Sequence, residues 1–336
     1  MIKNILGGLF GQALGDAWAM PALMTPEDTW AMYGGWVTRF LPAPDSHPFH
    51  RGLPAGKITD DTEQAASLAE AIILDGKVTV EGAARAVLSW YERVGGDACP
   101  YVGPSTRRAV HAIQAGADLW SSGRFGDTNG ASMRVSPVGL IHPGQVKAAA
   151  EDACMSCVPT HNTNVAMSGA AAVAGAIAEA MVPGASLDDI VASGKQAADI
   201  GRNFADNHWI GASVARRIDQ AVQIARSGKP VIERIHDLYD VVGATLAITE
   251  SVPAAFGVLV LAGGNPMQAA VYGAALSGDA DTVSAMACAM AGAWKGIDAF
   301  PPDVVETLRT ANPEIDFDGL ALGLEEVAKK NLTRSG

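Results

Sequence analysis

Apolar residues recur at intervals of three and four along most of the chain, the period of a helix with one buried face. In 62–75, Ala65, Leu68, Ala69, Ile72 and Ile73 form such a stripe. The same spacing predicts helices over 4–18, 80–94, 104–118, 145–156, 163–182, 187–205, 209–226, 230–238, 264–275, 282–295 and 318–330. Strand patterns are few. The segment 254–264 (AAFGVLVLAGG) fits a strand by composition and a buried helix by its setting. No internal repeat or low-complexity linker divides the chain. The longest stretch without periodicity is 21–57, which carries Pro42, Pro44, Pro48 and Pro54; loops of that length are often binding loops or lids. The pattern predicts one all-α domain over 1–336, with the loop 21–57 near a cleft at one end.

Composition sharpens this picture. Hydrophobic residues make up 49% of the 336, but aromatics only 6%, so alanine carries much of the apolar content. Alanine is the best helix former, which favours closely packed helices. Charged residues are 18%, below the roughly 25% of an average soluble protein, and the chain is too apolar for disorder. The net charge is −12. That balance argues against a nucleic-acid duplex or an anionic membrane surface as partner, since both need clustered Lys and Arg. No uninterrupted apolar run reaches the roughly 20 residues of a membrane span, and Gln12 and Asp16 interrupt the apolar opening segment. Four cysteines are too few for a disulfide scaffold. The chain reads as a soluble, reduced, cytoplasmic protein. No pattern points to an oligomeric state.

Two short acidic sequences stand out, Thr59-Asp60-Asp61-Thr62 and Asp279-Ala280-Asp281-Thr282, each just before a helical pattern. Asp and Thr cap helices well, and Asp60 with Glu63 resembles a capping box. Two ordinary caps are therefore one reading. Capping needs only one such residue, however, and each sequence supplies two carboxylates and a hydroxyl. If the two helix starts meet, four carboxylates share one pocket. Like charges that close need compensation, from the helix N-termini or, more effectively, from a divalent cation. All-oxygen ligands favour Mg²⁺, Mn²⁺ or Ca²⁺ over Zn²⁺, and four carboxylates can hold two ions.

Other residues carry candidate chemistry. Asn129 to Pro137 reads as a loop entering a helix. Gly130 allows close backbone approach there, and Asn129 and Ser132 with backbone N–H groups can hold a ligand oxygen or phosphate; a plain turn is the alternative. Arg134 reads as pairing with a nearby carboxylate or binding an anion. Trp18, Trp30 and Trp36 can stack a base or simply pack, and Trp18 is the best placed of the three. His47 and His50 have no matched partner set and read as loop surface, with ligand contact as the alternative. Cys154-Met155-Ser156-Cys157 lacks a second pair or a preceding strand, so it reads as core cysteines.

Four of these features also occur together in one family. In order along the chain they are Gly8-Leu9-Phe10-Gly11-Gln12-Ala13-Leu14-Gly15-Asp16-Ala17, then Gly56-Lys57-Ile58-Thr59-Asp60-Asp61-Thr62, then Asn129-Gly130-Ala131-Ser132-Met133-Arg134-Val135-Ser136-Pro137 followed by Thr160-His161, and finally Gly278-Asp279-Ala280-Asp281-Thr282. In this the chain resembles the ADP-ribosylglycohydrolases. The resemblance implies an all-α orthogonal multi-helix bundle with a binuclear Mg²⁺ or Mn²⁺ site in a cleft. It implies metal ligands at Thr59, Asp60, Asp61, Asp279, Asp281 and Thr282, and a ligand-lining His161. It implies hydrolysis of an N-glycosidic bond at C1 of a ribose. A carboxylate can accept the proton of the attacking water, and Asp60 or Asp279 is our choice for it, with Asp61 and Asp281 more purely ligands.

One departure changes the expected substrate. Many members of that family carry a Glu about eight residues after the Asp of the first motif. Here Leu23 and Met24 stand in that region, and the nearest acid is Glu27. ADP-ribosylated substrates are what the resemblance implies; the missing Glu brings small ribonucleosides close behind. A non-catalytic relative that binds without cutting is the rival of another class, and the intact Asp and Thr clusters count against it.

Overall fold

The structure is a computed structural model and describes residues 1–334. Eighteen α-helices carry these residues, and no sheet forms among them. In chain order they are α1 (Ile2–Ala19), α2 (Pro26–Tyr33), α3 (Asp60–Asp75), α4 (Val80–Arg93), α5 (Pro104–Gln114), α6 (Leu119–Ser122), α7 (Gly130–Met133), α8 (Ser136–Leu140) and α9 (Val146–His161). The second half holds α10 (Asn164–Ala180), α11 (Leu187–Phe204), α12 (Val214–Ala225), α13 (Val231–Asp237), α14 (Ile248–Leu261), α15 (Pro266–Leu276), α16 (Ala280–Lys295), α17 (Pro302–Ala311) and α18 (Phe317–Arg334). Among the described residues no helix is long and apolar enough to cross a membrane.

The all-α expectation holds, with local corrections. The loop expected over 21–57 contains α2. Its start is chemically plain: Thr25 accepts a hydrogen bond from Asp28 N at 3.1 Å, and Pro26 fills the first turn. Only Pro26 and Thr29 are buried there, so no apolar stripe announces the helix. The ambiguous segment 254–264 is the buried second half of α14 and the turn after it. The Asn129–Pro137 segment folds into two short helices rather than a loop leading into one.

Helices α10, α14 and α16 are buried almost all round. Alanine allows this, because its short side chain keeps neighbouring axes close without rotamer cost. Outer helices bury a single stripe, as in α12, where Val214, Ile218, Ala221, Val222 and Ala225 face inward. One hydrophobic cluster runs from Ile5 to Val327. A small satellite gathers Val87, Trp90, Tyr91, Cys99, Val102 and Val110.

The tightest contact joins α1 to α16. A Cβ on Gly7 would lie 2.2 Å from the Gly292 carbonyl oxygen, one on Gly11 2.1 Å from that of Cys288, and one on Gly15 2.1 Å from that of Ser284. The paired numbers run in opposite directions, so the helices are antiparallel and in backbone contact over two turns. Any side chain on this stripe would drive backbones apart, and overpacking of this kind costs about 1–3 kcal/mol or more. Gly11→Ala is therefore expected to lower stability by at least about 2 kcal/mol in urea unfolding. Gly228→Ala, where an added Cβ meets nothing within 4 Å, is expected to change it by less than about 0.5 kcal/mol. Equal effects of the two substitutions would remove the close-contact account.

Candidate active site

The antiparallel contact brings the C-terminal end of α1 to the N-terminal end of α16. Asp16, near the end of α1, is wholly buried. It accepts hydrogen bonds from the backbone N–H of Thr59 (3.0 Å to Oδ2) and of Thr62 (3.1 Å), and from Thr59 Oγ1 (2.8 Å) and Thr62 Oγ1 (2.6 Å). Asp16 thus caps α3 from another helix, satisfying N–H groups that the α3 N-terminus would leave orphaned. Thr59, the residue at the cap position, makes no local side-chain cap of its own.

With α3 and α16 anchored this way, their N-termini open on one cavity of about 580 Å³. Asp60, Asp61, Asp279, Asp281 and Thr282 line it. Asp61 Oδ1 is buried with no hydrogen-bond partner. Asp60 Oδ2 accepts from Gln64 Nε2 at 3.4 Å, and Asp279 Oδ2 accepts from Asn129 Nδ2. Asp279 is half-buried and the other three are buried.

The charges press on one another. At an effective dielectric constant near 20, two unit charges about 4 Å apart repel by about 4 kcal/mol. Burial, followed by the charge of Asp281, pushes Asp60 and Asp61 well above the ordinary carboxylate value and Asp279 up to about 7. Burial raises Asp16 to about 6, although the threonine hydrogen bonds pull against it. Asp281 goes the other way. Burial alone would raise it, but the hydrogen bond and charge of His50 hold it below the usual range.

His50, expected as loop surface with ligand contact as the alternative, stands at the carboxylates. It lies in the loop between α2 and α3, is buried, and its Nε2 donates to Asp281 Oδ2 at 2.8 Å. His47 is buried behind it, the two rings stacked with centroids 4.9 Å apart. His47 Nδ1 accepts from the N–H of His50 at 3.0 Å, which leaves Nε2–H to donate to the Ala22 carbonyl at 2.9 Å. Neither ring is loop surface. Spacing gives no hint of this, because the partner of His50 is remote in sequence.

Several expected residues are placed elsewhere. Asn129 and Gly130 line the cavity, but Ser132 does not; it is fully buried, with its hydroxyl on the Asn129 carbonyl at 2.8 Å. His161 is also fully buried and off the cavity, its Nε2 3.1 Å from Thr128 Oγ1 and its Nδ1 2.7 Å from Thr160 Oγ1. It supports the Asn129 loop from behind: a Cβ on Gly130 would lie 2.9 Å from its ring. Trp18 packs edge-on against Phe40 and donates to the Val37 carbonyl at 2.9 Å, so it braces the loop instead of facing a ligand. Thr59 is buried behind Asp61, its hydroxyl hydrogen given to Asp16. Arg134 meets no carboxylate; its guanidinium donates to Gln64 Oε1 at 3.2 Å and Thr160 Oγ1 at 2.6 Å. Met24 stands on the cavity wall; Glu27 is exposed on α2, is not among the lining residues, and acts electrostatically on Tyr239, which is. Cys154 and Cys157 are buried free thiols.

A hard divalent cation suits this donor set by its chemistry: all-oxygen ligands, an unpartnered buried carboxylate oxygen, and mutual repulsion that a cation relieves. Among the described residues, however, no three His, Cys, Asp or Glu side chains converge as around a held ion. Asn129, Gln64 and His50 each hold one carboxylate separately.

The sequence model of the ADP-ribosylglycohydrolase family matches residues 1–334. The uncharacterized protein YegU of Escherichia coli (strain K12) is 36% identical over 326 residues, covering 96% of each chain. The ADP-ribosylarginine hydrolase Tri1 of Pseudomonas putida (strain GB-1) is 26% identical over 313 residues, 89% of this chain and 72% of that one. A solved structure of an ADP-ribosylglycohydrolase-related protein complex superposes with a TM-score of 0.68 at 24% identity, over 97% of this chain and 98% of that one.

Two outcomes follow from the buried charges. Asp16→Ala would orphan four donors at the start of α3, and is expected to cost at least about 3 kcal/mol; an unchanged urea midpoint would refute the cross-helix cap. Carboxyl groups whose folded-state pKa is raised stabilise the fold when protonated, and that stability is lost as pH rises through the folded value. Asp279, at about 7, titrates in the neutral range. His47 and His161, both lowered by burial, act oppositely, with an effect that fades as pH rises past the ordinary histidine value of 6.5. His50, which burial would lower but Asp281 raises, adds to the fall. In chelator, the melting temperature should therefore fall as pH rises from 6.5 to 8. A rise over that interval, followed by calorimetry, would contradict the raised carboxylates.

Proposed function

The chain belongs to the ADP-ribosylglycohydrolase family, a family of glycosidic-bond hydrolases, and on that premise we propose that it hydrolyses the N-glycosidic bond at C1 of a ribose with the help of divalent Mg²⁺ or Mn²⁺. The observation that carries this is the meeting of Asp60, Asp61, Asp279 and Asp281 on one cavity, with Asp61 Oδ1 buried and unpartnered. These four carboxylates and Thr282 Oγ1 would hold the ions, two in number, and Thr59 would support Asp61 from behind. When bound, the ions supply a water of lowered pKa and a grip on the vicinal hydroxyls of the ribose.

The chain's own groups divide the remaining work. Asp279 is the proton acceptor best placed among the four. It is the most accessible, and Asn129 fixes one of its oxygens. Water oxygen bonds to C1 as the C1–N bond breaks with its electron pair going to nitrogen. Asp279 takes a water proton and returns one to the leaving nitrogen, so the products are the free sugar and the protonated leaving group. His50 keeps Asp281 ionised and oriented. Asp60, tied to Gln64, serves as a ligand with Asp61. Four unpaired buried thiols suit a reducing compartment, and we place the enzyme in the cytoplasm.

Chelator treatment should abolish release of base or ADP-ribose from ADP-ribosyl-arginine, ADP-ribose or ribonucleosides, and Mg²⁺ or Mn²⁺ should restore it. Asp61→Asn should weaken binding of either ion at least tenfold by titration calorimetry, without lowering apo stability, since removing a charge relieves repulsion. Full activity in chelator, or unchanged ion binding by the variant, would sink the metal-assisted reading.

A further inference from the structure

The cavity walls decide which riboside fits. Among the described residues their lining holds acids, histidines, an amide, hydroxyls and apolar groups, and not one lysine or arginine. The cations on adjoining segments are turned to other partners. Arg51 donates to the Asp45 carbonyl, Arg107 to the Cys99 carbonyl, and Arg108 to the Phe125 carbonyl. Arg134 is buried on Gln64 and Thr160. A 5′-monophosphate, or the pyrophosphate bridge of ADP-ribose, brings about two further negative charges at neutral pH. It would meet a site whose one side-chain cation, His50, is already taken by Asp281. The proposed metal ions are already balanced by the four carboxylates, so no positive side chain is left to hold it.

An aromatic row leads outward from the same carboxylates. His50 touches Asp281 at 2.8 Å. The ring of Tyr101 lies 6.0 Å from that of His50, and the ring of Phe49, half exposed, lies 6.5 Å from it. Phe49, His50 and Tyr101 line the same cavity as the four carboxylates. Flat rings of any base can stack there, since stacking needs only a π-face. A cavity of about 580 Å³ is in the range of sites for small ligands.

We infer that the site takes an uncharged riboside of the nucleoside type, with the ribose over the carboxylates and the base along Phe49, His50 and Tyr101, and that it discriminates against phosphorylated ribosides. This rests on the ribosyl-hydrolase reading above and adds the class of substrate. Phe49 and Tyr101 are the specificity-determining side chains; Leu246, which also lines the cavity and is half exposed, is a position where a cation can be introduced.

The test titrates the Mg²⁺-loaded protein with inosine, uridine, their 5′-monophosphates and ADP-ribose, following binding by ligand-observed NMR and base release by mass spectrometry. At least one of the two nucleosides should bind at least tenfold more tightly than its 5′-monophosphate and than ADP-ribose. Phe49→Ala should raise the nucleoside KM at least fivefold with a smaller change in kcat. Leu246→Arg should narrow the discrimination against the monophosphate. Binding of a nucleoside without base release would support the substrate class while overturning the hydrolase reading. Equal or tighter binding of the phosphorylated ligands, or no nucleoside binding at all, would overturn the inference.

Discussion

The backbone contact between α1 and α16 sets the geometry on which the site depends. Glycine at 7, 11 and 15 of α1 and at 292 of α16 removes Cβ atoms that would separate the two helices. The antiparallel register then leaves only one place for the C-terminal end of α1, beside the first turn of α16. Asp16 therefore lies among the groups that begin α16, and through Thr59 and Thr62 it draws the first turn of α3 to the same point. A displacement of the α1–α16 contact would move both acidic pairs at once. Packing and chemistry are coupled here through a single helix.

That arrangement concentrates negative charge where a fold would ordinarily disperse it. Two helix N-termini supply partial positive charge, and His50 supplies a direct partner to one of the four cavity carboxylates. The remaining three are partly neutralised through raised pKa values, chiefly from burial and the charge of Asp281. Arg134 is a counterweight of another kind, a wholly buried guanidinium bound only to neutral groups. It reaches the acids through Gln64, which accepts from Arg134 and donates to Asp60. Buried charge without a direct ion partner is costly, and here it stands one side chain away from the carboxylate cluster.

Much of the helical layout was legible because apolar periodicity survives in a single sequence. The stripes that predict 62–75 and 187–205 lie on α3 and α11 within a residue or two of their ends. Elements that bury few residues escaped. In α2 only Pro26 and Thr29 are buried. In α17, begun by Pro302, only Val304 and Leu308 are, and so short a stripe is easily passed over. The acidic pairs were legible as two carboxylates each before a helix start, and the structure places both pairs on one cavity.

The sequence by itself determined which groups can do chemistry and which stretches can be helical, since both follow from local composition and spacing. Asp60, Asp61, Asp279, Asp281 and Asn129 were visible in that way. Tertiary structure alone decided which groups face the cavity. His50 came from a proline-rich loop to meet Asp281, while Trp18, Ser132 and His161 turned into the packing behind it. Which way a side chain faces depends on the neighbours it meets across the fold, and those contacts join residues whose separation in sequence carries no periodic signal.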